Sequence, residues 1–332
     1  MAYYETLNSG KVRAHIYVDG KRQSKTFPNK RKAQSWIRES EYKLSKKADG
    51  IDDTTTLGDL FKRYAEEISP TKKGGHWEFI RLQKFQRDDE ICKYKLIELK
   101  REHFETWIEQ RLQHVKASTV NRELNLISHC LTQARRWRLM AHEPLKDLKR
   151  PKNPPPRFRR ITEREIQQLC IVLGYREDVE ITLKRQFVAV AFLFAIETAM
   201  RAGEICMLTK SLIDIEAAVA HLPDTKNNYP RDVPLSPEAI GLLKKLPEPE
   251  ELDQPIFQLN AKTLDANFRK YCKRTNIENL HFHDTRHEAI TRLASKLDVL
   301  DLARVTGHRD IRQLLTYYNK TAEELAQQLA GR

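Results

Sequence analysis

Alternating apolar and polar residues near the start of the chain predict a small sheet with one packed helix. Two alternating runs within residues 11–27 are joined by Asp19-Gly20, a dipeptide suited to the positive φ angles of a tight hairpin turn. Residues 48–53 lack periodicity and are predicted to be a linker. Between these segments, residues 30–47 carry apolar side chains at helical spacing: Ala33, Trp36, Ile37 and Leu44.

Residues 55–145 predict a block of four helices. Thr56 is the expected N-cap of the first helix, and the fourth is predicted over residues 118–139. Basic side chains on these helices, such as Arg81, are typical of a solvated surface, although some of them could reach phosphates. Apolar residues form a predicted core stripe on each helix: Leu57, Leu60, Phe61 and Tyr64; Trp77, Ile80, Leu82 and Phe85; Phe104, Trp107, Ile108 and Leu112; and Val120, Leu124, Ile127, Leu131 and Ala134.

A basic, proline-rich segment at residues 146–160 marks the main domain boundary. Its sequence, KDLKRPKNPPPRFRR, has seven Lys or Arg and four Pro, and no helix survives four prolines at that spacing. Three successive prolines at residues 154–156 favour a semi-rigid extended connector. The charge of the segment predicts a strap that lies along a polyanion.

The second half of the chain predicts a mixed domain over residues 161–332. Helices are expected at residues 163–173 and 187–196. Residues 213–235 alternate on both sides of a turn and predict a β-hairpin with Lys226 near its tip. The predicted fold class is mainly α with small β elements (α+β): a β-sheet-plus-helix module, a helical domain and a mixed α/β domain.

Charge adds a function class to this picture. The 332 residues include 59 Lys or Arg and 46 Asp or Glu, a net charge of +13. Residues 1–50 alone hold 12 basic and 5 acidic residues, which favours a small DNA-gripping module. Most charges are expected on ordinary solvated helix faces, but the excess indicates a polyanion as partner.

Cysteine spacing and hydropathy exclude several classes. The five cysteines are far apart and form no C-x-x-C pair, so neither a disulfide framework nor a structural zinc site is predicted. No stretch approaches the roughly 20 apolar residues of a membrane span, and the N-terminus has no signal-peptide core. We expect a soluble, unprocessed protein in a reducing, intracellular compartment.

Four local signals carry candidate chemistry. Each is weak alone, since an arginine after a helix or a lysine in a hairpin usually has an ordinary structural role. Together they supply what phosphoryl transfer without a metal requires: two guanidinium groups for the non-bridging oxygens, proton donors and acceptors, and a nucleophile. The signals are Glu197-Thr198-Ala199-Met200-Arg201-Ala202-Gly203-Glu204, then Lys226, then His283-Asp284-Thr285-Arg286-His287, and finally Gly307-His308 followed by Tyr317.

These residues divide naturally by chemical role. Arg201 and Arg286 can offer bidentate hydrogen bonds to a phosphodiester. Proton transfer and charge stabilisation would come from Lys226, His283 and His308. Tyr317 would supply the attacking oxygen.

In order and spacing, these positions resemble the tyrosine recombinases, meaning phage integrases, Xer resolvases and Cre-like enzymes. The family's order is Arg, Lys, His-x-x-Arg, His or Trp, Tyr, and it is complete in ETAMRAGEI, HLPDTKN, HFHDTRH, VTGHRDI and LLTYYNK. The last tyrosine lies nine residues beyond His308, the customary family spacing, which favours Tyr317 over Tyr318. The same segments are also similar to the shufflon-type DNA invertases within the family.

The resemblance implies a domain order that agrees with the pattern-based division. An arm-type DNA-binding domain would occupy residues 1–50, a helical core-binding domain 55–145, a basic linker 146–160 and the catalytic domain 161–332. The core-binding and catalytic domains would form a C-shaped clamp around double-stranded DNA at core sites, with the front module on arm sites.

The resemblance also implies partners and a location. The helical tail from Ala322 would dock into a neighbouring subunit, which gives a homotetramer in the synaptic complex. Host DNA-bending and directionality factors are further expected partners, and no membrane is. The expected location is the bacterial cytoplasm, at the nucleoid.

The reaction implied by the resemblance needs no cofactor and no metal. Tyr317 would attack the scissile phosphate to give a 3′-phosphotyrosyl link and a free 5′-hydroxyl, which a partner strand's 5′-hydroxyl then reverses. Because the reference pKa of a phenol is about 10, it needs a base, for which His283 is the candidate. Lys226 would protonate the departing oxygen.

The remaining groups would stabilise the charged, phosphorane-like state in which one bond to phosphorus forms and the other breaks. Arg201 and Arg286 would hold the phosphorane-like phosphate, and His308 would add a hydrogen bond. Glu204, three residues after the first arginine, would orient Arg201 or His283.

Several alternatives stay open at this point. Integration or excision of a prophage or other mobile element is preferred, because the front module resembles that of prophage integrases. Shufflon-type DNA inversion is the first alternative, a type IB topoisomerase-like nicking-closing enzyme the second, and a non-catalytic DNA-binding regulator the third. A metal site at His281, His283 and His287 is disfavoured, because the spacing fits no common zinc pattern and Arg286 would repel a cation.

Overall fold

The computed structural model describes residues 3–7, 9–18, 21–48, 54–155, 157–223 and 230–318, together with Ala326 and Ala330. The chain divides into two compact units, Met1–Pro155 and Pro156–Arg332. Four predicted features lie wholly or mostly outside the described residues: the Asp19-Gly20 turn, the linker at 48–53, Lys226 and the tail from Ala322. Within the described part of the chain, no helix is long and apolar enough to span a bilayer.

The first unit begins with a three-stranded antiparallel sheet and a helix. β1 (Tyr3–Thr6), β2 (Val12–Val18) and β3 (Lys21–Phe27) pair in that order, and α1 (Lys30–Ala48) packs against β2 and β3. The predicted strand pair and helix are therefore present. β1 has no sequence signal, because all four of its residues are exposed and none alternates with a buried one. The core of this module is small: Val12, Ala14 and Ala33 are buried, with Phe27, Trp36 and Ile37 packed against them.

After α1, the described residues of the first unit form four α-helices, with short 3-10 turns between them: α2 (Leu57–Glu67), α3 (Gly75–Asp88), α4 (Arg101–Leu112) and α5 (Ala117–Arg136). Thr56 caps α2 as predicted, because its side chain accepts the backbone N–H of Asp59 at 3.1 Å. The predicted end of the fourth helix at residue 139 is wrong. α5 stops at Arg136 because Arg138 adopts a left-handed φ of 59°, which a right-handed helix cannot include.

Three residues of the predicted core stripes are exposed instead. Trp77 is 38% exposed, Ile80 53% and Leu112 41%. The guanidinium of Arg81 lies 5.7 Å from the ring of Trp77 and donates to the buried carboxylate of Glu123 at 2.9 Å. The indole therefore packs beneath a charged side chain rather than inside the core, and Arg81 has a structural partner.

The second unit is built around one buried helix. Its helices are α6 (Glu163–Leu173), α7 (Lys184–Thr198), α8 (Ala202–Cys206), α9 (Pro237–Lys244), α10 (Ala261–Cys272), α11 (Asp284–Ala294) and α12 (Val299–Thr306). Helix α7 is apolar from Phe187 to Ile196 and buried over most of its length, and α6, α9, α10 and α11 pack around it. The helices predicted at 163–173 and 187–196 correspond to α6 and α7.

A second small sheet lies in this unit. β4 (Ile213–Asp214), β5 (Val219–Leu222) and β6 (Arg231–Pro234) are antiparallel in that order. The predicted hairpin corresponds to β5 and β6, and β4 is an additional strand that a turn at Ala218, whose φ is 55°, connects to β5. The prediction of a mainly α fold with small β elements is confirmed.

Three arginines of the predicted connector are neutralised within the second unit. The sequence predicts that this basic segment lies along a polyanion, whereas in the structure these three side chains meet carboxylates of their own unit. Each arginine therefore fixes the connector to the unit's surface. The pairs are Arg157 with Asp284, Arg159 with Glu165, and Arg160 with Glu288.

Candidate active site

Arg201 is held where helix α7 ends and helix α8 begins. Ala199 caps α7 in the left-handed conformation at φ 55°, which turns the chain sharply before α8. The backbone N–H of Arg201 donates to Glu204 Oε2 at 2.8 Å, and its Nη1 donates to Oε1 at 2.9 Å. One carboxylate thus fixes both the backbone and the side chain of Arg201.

Glu204 is also paired with a second arginine, which sequence reasoning missed. Arg231, the first residue of β6, donates from Nη1 at 2.9 Å and from Nη2 at 2.7 Å to the two oxygens of Glu204. Its Nε donates to the carbonyl of Val305 at 3.0 Å. Burial by itself would raise the pKa of Glu204, but the hydrogen bonds from Arg231 and from the backbone of Arg201 outweigh it and lower that pKa to about 2.

A glycine lets the chain pass close to this arginine. Gly307 has a φ of 71° and ends α12. A Cβ at this position would lie 3.2 Å from Cδ of Arg231, and a left-handed residue disfavours a side chain in any case. The Gly-His sequence therefore brings His308 next to the arginine cluster.

Arg286, on helix α11, is anchored by two helix ends. Its Nη1 donates to the carbonyl of Ala199 and its Nη2 to the carbonyl of Thr306, both at 2.6 Å. Carbonyls at helix C-termini carry partial negative charge, which compensates the buried cation. Burial, with a further contribution from Arg201, lowers the pKa of Arg286 to about 9, which still leaves it charged at neutral pH. Its remaining N–H donors stay available to a ligand.

Four of the predicted site residues line one open cavity of about 550 Å³. They are Arg201, His283, Arg286 and His308, and Gly307, Arg309, Asp310 and Gln313 complete the lining. Two guanidinium groups and two imidazoles thus face a common space. This space is large enough to admit a phosphodiester and its two sugars.

The hydrogen bonds of Thr306 assign the tautomer of His308. The hydroxyl of Thr306 has a single proton, which it donates to the carbonyl of Leu302 at 2.6 Å. Its second contact, 2.7 Å from His308 Nδ1, therefore has the ring as donor. Burial lowers the pKa of His308 to about 4, with the nearby Arg286 and Arg201 acting in the same direction. In the free protein His308 is neutral, with its proton on Nδ1 and a lone pair on Nε2.

The two tyrosines differ clearly in their hydroxyl partners. Tyr318 donates to the carbonyl of Leu297 at 2.8 Å, a structural contact. Tyr317 instead has its Oη 2.5 Å from Nδ1 of His287. Its ring is a neighbour of the rings of His287 and Phe158, whose centroids are 6.2 Å and 6.1 Å away. Burial raises the pKa of Tyr317, and Arg286 opposes this only in part.

The sequence contained a signal for each of two residues to which sequence reasoning gave no role in the site, His287 and Arg231. His287 follows His283, the N-cap residue of α11, by four residues, so the two side chains are neighbours, and their ring centroids are 5.8 Å apart. Arg231 lies two residues before the buried Val233 and so shares its face of β6. In contrast, no hydrogen bond joins Glu204 to His283 in the described part of the chain, so of its two predicted partners the structure supports Arg201.

The metal interpretation of the histidine cluster gains no geometric support. Among the described residues, no group of three or more His, Cys, Asp or Glu is arranged to bind a metal ion. Burial lowers the pKa of both His283 and His287. Lys226, predicted at the tip of the hairpin, lies outside the described residues.

Comparison with known proteins assigns the chain to a family. The model of the phage integrase family matches residues 159–324. A putative integrase/recombinase of Haemophilus influenzae is 42% identical over 318 residues, which cover 94% of this chain and 86% of that protein. The chain belongs to the phage integrase family. The predicted membership of the tyrosine recombinases, and with it the prediction of an enzyme, is confirmed.

This integrase-family chain is also similar in sequence to a shufflon-specific recombinase and in fold to solved integrases. The shufflon-specific DNA recombinase of Escherichia coli is 34% identical over 288 residues, which cover 83% of this chain and 72% of that protein. Lambda integrase has a similar fold. Its dimer bound to a COC′ core site gives a TM-score of 0.65 at 15% identity, covering 95% of this chain and 93% of that one. Its tetramer bound to a Holliday junction gives 0.63 at 14% identity, covering 92% and 95%.

Proposed function

We propose that this phage integrase family member is a site-specific tyrosine recombinase that cuts and rejoins duplex DNA through a 3′-phosphotyrosyl intermediate. The observation that carries the proposal is the common cavity lined by Arg201, His283, Arg286 and His308. These are the side chains that a phosphodiester needs around it, and the candidate nucleophile Tyr317 is in electrostatic contact with Arg286.

The two arginines bind and polarise the scissile phosphate. Arg201 is fixed by Glu204, and Arg286 by two backbone carbonyls, so both guanidinium groups are oriented before DNA arrives. Preorganised donors of this kind stabilise charge as it develops on the non-bridging oxygens. They also lose little conformational entropy on binding.

His308 contributes a hydrogen bond only after it gains a proton. With Nδ1 committed to Thr306, the ring faces the cavity with a lone pair on Nε2. A phosphate oxygen is an acceptor as well, so a bound phosphate favours the imidazolium form and raises the pKa of His308. His283, on the same cavity, is proposed as a further partner of the phosphate.

In the proposed step, Tyr317 Oη forms a bond to phosphorus while the bond from phosphorus to the 5′-oxygen breaks. The energy of the phosphodiester is kept in the phosphotyrosyl link, so no cofactor is required for rejoining. Lys226 is proposed to protonate the departing 5′-oxygen. A 5′-hydroxyl from the partner strand then attacks the phosphotyrosine and releases Tyr317.

We further propose the domain roles and partners expected from the sequence. Residues 1–50 would bind arm sites and residues 55–145 core sites, with 146–160 as linker and 161–332 as catalytic domain. Lambda integrase in complex with a core site and as a tetramer on a Holliday junction supports double-stranded DNA and a homotetramer as partners. Host bending and directionality factors would act on the same complex, at the nucleoid of the bacterial cytoplasm.

Integration or excision of a mobile element is the preferred outcome. The basic sheet-and-helix module at the front, with its own small core, supports a second DNA contact at arm sites. The 34% identity to a shufflon-specific recombinase favours DNA inversion as the second candidate. Plasmids that carry the core site in direct or inverted orientation, with and without flanking host DNA, separate the two outcomes.

The decisive test is covalent capture of DNA. The protein is incubated with a genomic library of nicked suicide duplexes, and DNA bound covalently to wild type but not to Tyr317→Phe is sequenced. Adducts at one short sequence are expected. Adducts at scattered sequences would instead indicate a topoisomerase-like enzyme, and tight DNA binding without any adduct would indicate a regulator.

A further inference from the structure

The hydroxyl of Tyr317 has a partner that the mechanism above does not use. Its Oη lies 2.5 Å from Nδ1 of His287, at the short end of hydrogen-bond distances. The two rings are stacked with an interplanar angle of 26°. His283, predicted as the base, makes no hydrogen bond to Tyr317 within the described part of the chain. Its ring contacts that of His287 instead.

We propose that His287 is a catalytic residue of this integrase: its Nδ1 accepts the phenolic proton of Tyr317 as Oη attacks the scissile phosphorus. The inference rests on the proposed function and adds a residue to it. The Oη–P bond forms as the bond from phosphorus to the 5′-oxygen breaks. The proton from Oη passes to Nδ1. The 5′-oxygen takes a different proton, which comes from Lys226. On rejoining, the bond from phosphorus to the 5′-oxygen forms as the Oη–P bond breaks, the His287 imidazolium returns its proton to Oη, and the attacking 5′-hydroxyl gives its proton back to Lys226.

The charge state of both groups fits this role. Burial lowers the pKa of His287, Arg286 and Arg157 lower it further, and Asp284 opposes them. The ring is therefore neutral near pH 7, and the tautomer with its proton on Nε2 presents a lone pair on Nδ1 to the hydroxyl of Tyr317. Burial meanwhile raises the pKa of Tyr317. A phenol that does not ionise by itself needs a base at the moment of attack.

The surroundings hold the pair in position. Helix α11 carries both Arg286, which two backbone carbonyls anchor, and His287 one residue later. The ring of Tyr317 also meets that of Phe158, which belongs to the same compact unit. The phenol thus has two neighbouring rings, and its oxygen is within hydrogen-bond distance of a nitrogen that can accept a proton.

The first experiment compares single-turnover adduct formation on a suicide duplex of the core site. His287→Asn keeps a hydrogen-bonding side chain near the position of Nδ1 but has no basic nitrogen. We expect its adducts to form about 100-fold to 1000-fold more slowly, with DNA binding unchanged. The matched control is His281→Asn, the same substitution at an exposed histidine three residues before the first residue of α11, and it should cleave at the wild-type rate.

Two further readouts separate a base from a merely structural residue. The residual rate of His287→Asn should rise about tenfold per pH unit above neutrality, following the phenolate fraction, whereas the wild-type rate rises less. Replacing Tyr317 by a fluorinated tyrosine, whose phenol is more acidic, should restore His287→Asn by tenfold or more. A 5′-bridging phosphorothiolate strand, whose sulfur leaves without a proton, should restore Lys226→Ala but not His287→Asn.

Several results would overturn the inference. If His287→Asn cleaves as fast as wild type, His287 is not the base. If it cleaves faster, the contact between His287 and Tyr317 inhibits cleavage. A slower rate with an unchanged pH profile and no gain from fluorotyrosine means a structural role. These results all leave Tyr317-dependent adducts with the wild-type protein. Absence of wild-type adducts would remove the proposed function and this inference together.

Discussion

Glu204 accepts two hydrogen bonds from the guanidinium of Arg231, at 2.9 and 2.7 Å, and both side chains are more than nine-tenths buried. The same carboxylate holds the backbone and the guanidinium of Arg201. Arg231 begins the strand β6, and its Nε also donates to the carbonyl of Val305, next to the Gly307-His308 turn. A single buried ion pair thus joins the sheet, the first site arginine and the loop that carries His308.

The first prediction is that Arg231→Lys slows adduct formation by about 100-fold while DNA binding stays within about twofold of wild type. Lysine cannot make the bidentate contact, so Glu204 loses a partner and Arg201 its fixed orientation. Single-turnover cleavage of a suicide duplex measures the effect. Arg176→Lys, at an exposed arginine of the same unit, is the matched control. Wild-type cleavage by Arg231→Lys would show that Arg201 does not depend on this pair.

Much of this architecture could be predicted from the sequence, and particular residues show why. Helix α6 has a Thr162 cap, a regular apolar stripe and a terminal Gly174, so its predicted bounds match those observed. The motif order also identified four side chains that line one cavity. Both signals depend on local spacing, which the sequence displays directly.

The features that sequence analysis missed depend on contacts between distant segments. Arg231 and Glu204 are 27 residues apart, and His287 and Tyr317 are 30 apart, so neither pair belongs to one motif. Trp77 has a core-like position on α3, yet Arg81 covers it because Glu123 on another helix attracts the guanidinium. Contacts of this kind depend on the tertiary structure, and the periodicity of the sequence does not reveal them.

Low pH should destabilise the second unit by protonating the buried carboxylate of Glu288. Burial tends to raise the pKa of Glu288, but hydrogen bonds from Arg160, Arg292 and the backbone of Ile161 lower it to about 2. Because the folded-state pKa lies below that of an ordinary glutamate, the stabilisation is complete above about pH 4.5 and is lost as the pH falls toward 2. The ionised Glu288 thereby contributes about 3 kcal/mol to the free energy of unfolding at neutral pH.

The measurement is urea unfolding followed by far-ultraviolet circular dichroism over that pH range. Glu288→Gln should be less stable than wild type at neutral pH and should lose less stability on acidification. A variant with the same acid sensitivity as wild type would mean that this carboxylate does not set the pH dependence. Glu180→Gln, at an exposed glutamate of the same unit outside the Glu288 ion pairs, provides the comparison.

A second buried carboxylate should control the stability of the helical block. Glu123 is fully buried and accepts hydrogen bonds from Arg81 at 2.9 Å and from Arg111 at 2.8 and 2.9 Å. Glu123→Ala leaves both cations without their partner, which should cost about 3 to 5 kcal/mol. All four tryptophans lie in the first unit, so urea unfolding followed by tryptophan fluorescence reports on it.

The control for this prediction is Glu109→Ala, at an exposed position of α4, which should change the free energy of unfolding by less than about 0.5 kcal/mol. If Glu123→Ala costs no more than Glu109→Ala, the two arginines are adequately solvated without the carboxylate. The block would then be stabilised by its apolar core alone.

The tautomer of His308 provides the last prediction and a direct view of the site before DNA binds. Nitrogen-15 NMR of the histidine rings, assigned with His308→Gln, should show a neutral ring at pH 7 with its proton on Nδ1, because Thr306 can only accept there. Since burial lowers the pKa of His308 to about 4, the ring should stay neutral as the pH falls to about 5. Thr306→Val should remove the preference for Nδ1. A proton on Nε2 in the wild-type protein, or a titration midpoint near an ordinary histidine's, would mean that His308 can donate to phosphate without first gaining a proton.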